Sequence, residues 1–124
     1  LHSTSRRQRQ MCIRDRKKIS AYIYGGNIRQ VAIAVSDSKS DDIRIIAPQA
    51  ADELLGISGV DASFVIYKTG DVVNISARSL GVMNVQVIME RLGGGGHQTM
   101  AAAQLTDVSE QKAKEMLIEV LDQD

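Results

Sequence analysis

The chain has 124 residues, 44% of them hydrophobic and 24% charged, ordinary values for a folded globular protein that exclude disorder over its whole length. A single cysteine excludes an intramolecular disulfide, the lack of an apolar run of about 18 residues excludes a membrane-spanning helix, and 3% aromatics without Trp leave little for stacking bases. The formal net charge of zero hides a split: residues 1–18 carry +6 and residues 19–124 carry −6, so the acidic body argues against sequence-blind nucleic-acid binding by a basic face.

Residues 1–16 (LHSTSRRQRQMCIRDR) show neither a helical nor a strand period and no apolar signal core. They read as a basic arm for an acidic partner or as a non-native or disordered segment. The run QMCIRDR resembles translated adaptor sequence, and a start at Leu1 fits a shortened frame. This segment, with His2 and Cys12, is left out of the expected fold. Residues 17–27 read as a linker or the end of a preceding helix, broken at Gly25 and Gly26.

Residues 31–35 (VAIAV) are a continuous β-branched run, the pattern of a strand buried on both faces. After a polar loop over 36–42, helical spacing of Ala47, Ala50, Ala51, Leu54 and Leu55 predicts a helix over 45–55 that Pro48 opens or kinks. Residues 63–67 (SFVIY) and 72–78 (VVNISAR), joined by a short Gly-Asp turn, predict an antiparallel hairpin. Asn84 caps a helix with Val85, Ile88, Met89 and Leu92 on its apolar face, stopped by Gly93. Residues 93–96 are a four-glycine loop ending at His97. Residues 100–105 (MAAAQL) read as a strand. Asp107 or Ser109 caps a last helix with Ala113, Met116, Leu117, Val120 and Leu121 inward. The order predicts one α/β domain with a mixed β-sheet flanked by helices.

The glycine loop is the most telling local feature. Four glycines lose much backbone entropy on ordering, and their N–H groups can approach phosphate oxygens with no Cβ in the way. A helix C-cap explains Gly93 but leaves Gly94, Gly95 and Gly96. No Lys-Ser or Lys-Thr pair follows, so this is not a P-loop. His97 at the loop's rim can donate to a phosphate or move a proton near neutral pH. Alternation puts Ser76 and Arg78 on one strand face, and with Ser79 they make an anion cradle at a strand end. The plainer alternative for Arg78 is an edge residue paired with an acid. No metal-ligand cluster and no Ser-His-Asp set assembles from the sequence.

The segment NISARSLGVMNVQVIMERLGGGGHQTMAAAQL, residues 74–105, resembles the C-terminal DHH-associated domain of DHH-family phosphoesterases. The ISARS run, the NVQVIME helix, GGGGH and AAAQL together are closest to the GdpP type of cyclic-di-AMP phosphodiesterase. The resemblance spans residues 28–124 and implies a substrate-binding domain from which a manganese-binding DHH catalytic domain is missing. It implies hydrolysis of cyclic di-AMP to linear pApA by the parent protein, and no catalytic residue, metal or cofactor in this chain. Gly94, Gly95, Gly96 and His97 would line the substrate, with Ser76, Arg78 and Ser79 facing its phosphates and Asn84 as a further contact or only a cap. The expected partners are cyclic di-AMP or a short linear dinucleotide and the DHH domain of the same parent. That parent would be anchored in the bacterial membrane with this domain on the cytoplasmic face, touching no lipid. The alternatives are a nucleic-acid-binding domain of a DHH-family oligoribonuclease, exonuclease or nucleotide phosphatase, and a non-catalytic nucleotide-sensing module.

Overall fold

The computed structural model describes the backbone of residues 5–13, 17–25, 30–36, 43–56 and 59–122. In chain order these form β1 (Ser5–Ile13), β2 (Lys17–Gly25), β3 (Gln30–Ser36), α1 (Ile43–Leu54), β4 (Ala62–Thr69) and β5 (Val72–Ser79). They continue as α2 (Val85–Arg91), β6 (Gly95–Gly96), β7 (Met100–Thr106) and α3 (Glu110–Asp122). The strands make one sheet in the order β1-β2-β3-β4-β5-β7-β6. The β3–β4 pair is parallel, bridged by α1, and the other pairs are antiparallel. This is the mixed, helix-flanked α/β sheet expected from residue 31 onward, except that Gly95–Gly96 of the expected glycine loop pair with β7 as the short strand β6.

The N-terminal part differs from expectation. Residues 17–25, expected as a linker or helix end, form β2, which pairs with β3 through Ile19↔Ser36 to Gly25↔Gln30. Ser5–Ile13, left out of the expected fold, runs antiparallel to β2 as the edge strand β1. Ladder hydrogen bonds are made by the backbone, so an edge strand needs no apolar period. His2, Gly26 and the loop over 37–42 lie outside the described residues.

Two apolar clusters hold the sheet. On one face, Ile33, Phe64, Ile66, Val73, Ile75, Ala77 and Ala101 pack against Val85, Ile88 and Met89 of α2 and Ala113 and Leu117 of α3. On the other, Ala32, Ala34 and Val65 meet Ala47, Ala50, Ala51 and Leu54 of α1. Alanine on both sides lets that helix lie close to its strands. Pro48 sits inside α1 rather than opening it. It lacks the N–H that would bond to the carbonyl of residue 44.

The turns follow their chemistry. Gly70, with φ +59°, opens the two-residue β4–β5 turn, where a tight hairpin demands positive φ. Of the two cap candidates for α3, the structure uses Ser109, whose Oγ accepts from the Lys112 N–H at 3.0 Å. Asp107 takes a turn position with φ +61° instead.

Candidate functional site

Cross-strand register builds the site. Directly opposed residues of an antiparallel pair project from the same face. Ser76 opposes Ala102, which opposes Gly95. One step along, Arg78 opposes Met100, and the His97 N–H donates to the Met100 carbonyl while Met100 returns the bond at 3.3 Å. Two rows therefore cross three strands: Ser76–Ala102–Gly95 and Arg78–Met100–His97. Adjacent strands lie about 4.8 Å apart, so each row is roughly 10 Å long.

This surface belongs to the face that α1 covers only in part. The apolar contacts of α1 are with β3 and β4. Ala102, Gln104 and His97 are exposed, and Met100 retains 50% of its surface. A Cβ added at Gly95 would meet nothing within 4 Å. Gly95 and Ala102 contribute little bulk to this floor.

Ser76 is 6% exposed, and its hydroxyl has no hydrogen-bond partner among the described residues. The other buried polar groups of the central strands are satisfied. Ser63 donates to the Ala51 carbonyl at 2.5 Å, Asn74 donates to Thr69 Oγ1 at 2.9 Å and accepts from Gln104 at 3.2 Å. Native structures rarely leave a buried hydroxyl without a partner, so among the described residues the Ser76 hydroxyl stands out as the buried polar group with unused bonding capacity. Beside it, Arg78 donates through Nε to Asp52 Oδ1 at 3.2 Å and through Nη1 to the Ala77 carbonyl at 3.3 Å. Its Nη2 has no partner among the described residues. The acid pairing weighed for Arg78 is thus present, and it leaves N–H donors unused.

The glycine run has more structural work than the sequence suggested. Gly93, with φ +88°, donates to the Glu90 carbonyl at 3.1 Å, and Gly94 donates to the Met89 carbonyl at 2.8 Å. That is a Schellman cap on α2, so these two N–H groups are not available to a phosphate. A Cβ on Gly94 would collide with the Ala102 carbonyl and Ala103, and one on Gly96, where φ is +146°, would lie 2.5 Å from Ala101 Cα. Close contact with β7 therefore requires glycine at 94 and 96. Gly95 is the glycine of the β6 ribbon that faces open space. Ladder alternation turns the Gly96 N–H outward along the free sheet edge.

Ser79 and Asn84 part from the others. Ser79 opposes Ala62, on the face packed by α2 and α3. Its hydroxyl donates to the Met83 carbonyl at 2.6 Å and accepts from the Gly81 N–H at 2.9 Å. Asn84 caps α2, its Oδ1 accepting from the Gln86 and Val87 N–H groups at 3.0 and 3.4 Å. Both shape the 79–84 loop. That loop receives the 97–99 turn through Ser79 N–H to Thr99 O, Val85 N–H to Gln98 O and Gln98 Nε2 to Gly81 O. Met100, Ala102 and Asp52 were missed from sequence. The strand register of 100–105 was the one available signal for the first two, and nothing in the sequence places Asp52 beside Arg78.

A model of the DHHA1 domain matches residues 27–123. The chain belongs to the DHHA1 family. It is 58% identical over 92 residues to the cyclic-di-AMP phosphodiesterase GdpP of Geobacillus thermodenitrificans, covering 73% of this chain and 14% of that protein. It is 52% identical over 93 residues to the cyclic-di-AMP phosphodiesterase PdeA of Listeria monocytogenes, covering 74% of this chain and 14% of the relative. With GdpP of Bacillus subtilis the identity is 45% over 102 residues, 82% of this chain and 15% of the relative. The DHHA1 chain thus spans about a seventh of these relatives' length. In fold it is similar to an exopolyphosphatase-related protein from Bacteroides fragilis, with TM-score 0.63, 18% identity, and 75% and 28% of the two chains covered. Among the described residues of this DHHA1 domain, no three His, Cys, Asp or Glu side chains group as a metal set, and no helix is long and apolar enough to cross a membrane.

Proposed function

We propose that this DHHA1 domain is the substrate-binding part of a membrane-anchored phosphodiesterase that hydrolyses cyclic di-AMP to linear pApA. The carrying observation is a buried Ser76 hydroxyl, without a partner among the described residues, beside an Arg78 guanidinium with unused donors at the margin of an open sheet floor. The relatives named as cyclic-di-AMP phosphodiesterases supply the substrate class. Arg78 offers two parallel N–H bonds to a phosphodiester, Ser76 adds a third donor, and His97 and the Gly96 N–H border the same floor. The small side chains of Gly95 and Ala102 let the nucleotide approach the strands.

Hydrolysis needs water to add at phosphorus, the bond to one sugar oxygen to break, and that oxygen to take a proton. On this reading water activation would fall to a manganese-binding DHH domain of the parent protein. The part of Ser76, Arg78 and His97 is to bind and orient the phosphates against it.

Backbone amide shifts of the 124-residue chain, titrated separately with cyclic di-AMP, linear pApA and a longer RNA, test this. Cyclic di-AMP should perturb residues 76–78, 94–97 and 100–102 at the lowest concentration. Perturbation by RNA first would favour an oligoribonuclease or exonuclease domain. No response, or a response confined to α2 and α3, would end the substrate-binding reading.

A further inference from the structure

On the β4 side the cross-strand partner of Arg78 is Ser63. Ser63 is fully buried, and its hydroxyl ties β4 to the Ala51 carbonyl of α1 at 2.5 Å. The next residue of α1 is Asp52, whose Oδ1 accepts from Arg78 Nε at 3.2 Å. A buried hydrogen bond thus fixes the helix one residue from the carboxylate, and the carboxylate meets the guanidinium beside the same strand pair.

We propose that Asp52 is a positioning residue that holds the Arg78 guanidinium by Nε so that its Nη groups face a phosphodiester on the open sheet floor; this rests on the substrate-binding reading above. An arginine uses either its Nε–Nη2 edge or its Nη1–Nη2 edge for bidentate contact. Asp52 occupies Nε, which leaves the Nη1–Nη2 end for the ligand. Without Asp52 the long side chain would keep only the bond to its neighbour's carbonyl, Ala77 O. Asp52 also carries a charge that repels the ligand. Its side chain is 65% exposed, so solvent screens that repulsion, and the loss of orientation dominates.

The test combines Asp52→Ala, Asp52→Asn, Arg78→Ala and the Asp52→Ala/Arg78→Ala double variant. The readouts are cyclic-di-AMP affinity and ¹⁵N relaxation of the Arg78 Nε–H. Asp52→Ala should weaken binding about three- to tenfold and make the Nε–H mobile. Asp52→Asn, which keeps an oxygen acceptor, should stay within about twofold of wild type with an ordered Nε–H. In the Arg78→Ala background the further loss of Asp52 should have no effect. Equal or tighter binding by Asp52→Ala, with Arg78→Ala weakened, would overturn the positioning role alone. An Nε–H as mobile in wild type as in Asp52→Ala would overturn it without any nucleotide. An affinity unchanged by Arg78→Ala would instead bring down the substrate-binding reading.

Discussion

The two faces of the sheet are built from the same strands and do opposite work. One is sealed: α2 and α3 cover Phe64, Ile66, Val73 and Ile75, all fully buried. The other is sealed only where α1 lies, over Ala32, Ala34 and Val65. Beyond α1 it is open at Gly95, Met100 and Ala102, and the largely buried Ser76 and Arg78 lie between this floor and the helix. Strand alternation lets one sequence serve both purposes, because adjacent residues answer to different neighbours. In β5, Ile75 and Ala77 belong to the core, while Ser76 and Arg78 point to the opposite face, between α1 and the open floor.

The comparison breaks most visibly at Phe64. Truncation to alanine leaves a cavity on the sealed face and should lower stability by about 3–5 kcal/mol in chemical denaturation. A loss below about 1 kcal/mol would mean that this face is not the main core.

The glycine ribbon touches both regimes and separates them. Gly94→Ala drives a methyl into β7 and should cost about 1–3 kcal/mol, seen as a lower melting temperature. Gly95→Ala adds the same methyl to open space, so it should leave stability within about 0.5 kcal/mol or raise it slightly. Its methyl projects over the floor and should weaken cyclic-di-AMP binding. Equal melting behaviour of the two variants would refute the assignment of inner and outer glycines.

Asn84 sharpens the boundary of the site. As a cap it should lose about 1 kcal/mol on substitution by alanine, with nucleotide affinity unchanged. Weaker binding without a stability change would move Asn84 into the site.

The smallest effect is expected at the far edge. β1 pairs with β2 alone, so removing residues 1–16 should lower the melting temperature by less than about 4 °C, or under about 1 kcal/mol. A larger drop would make the N-terminal strands part of the folding unit.

Much was legible in the sequence because it rests on local rules. The 3.6-residue spacing of Val85, Ile88, Met89 and Leu92 needs only a helix with one buried side, and the structure buries all four. The Gly-Asp turn fixed the β4–β5 hairpin by the sign of one φ angle. The glycine run ending at His97, with the text around it, was specific enough to indicate the DHHA1 family.

Where local pattern was weak or ambiguous, sequence reading went astray. Residues 17–25 carry too short a period to declare a strand, and pairing to β3 made them one. Ser79 has the same chemistry as Ser76, but one strand position of odd parity turns it to the other face and into a loop bond. That Gly94 and Gly96 also serve close contact with β7 was not readable, because sequence cannot show that β7 lies against them.

Composition, periodicity and turn chemistry determined the elements from residue 31 onward other than β6, and the apolar side of each helix, since those depend on neighbours within a turn or two. Tertiary structure alone decided which side of the sheet stays open, that Gly95 faces it while Gly94 and Gly96 do not, and that Asp52 meets Arg78. Each of those facts depends on residues distant in sequence being brought within a few ångströms, and hydrogen bonds and steric exclusion act only at that range.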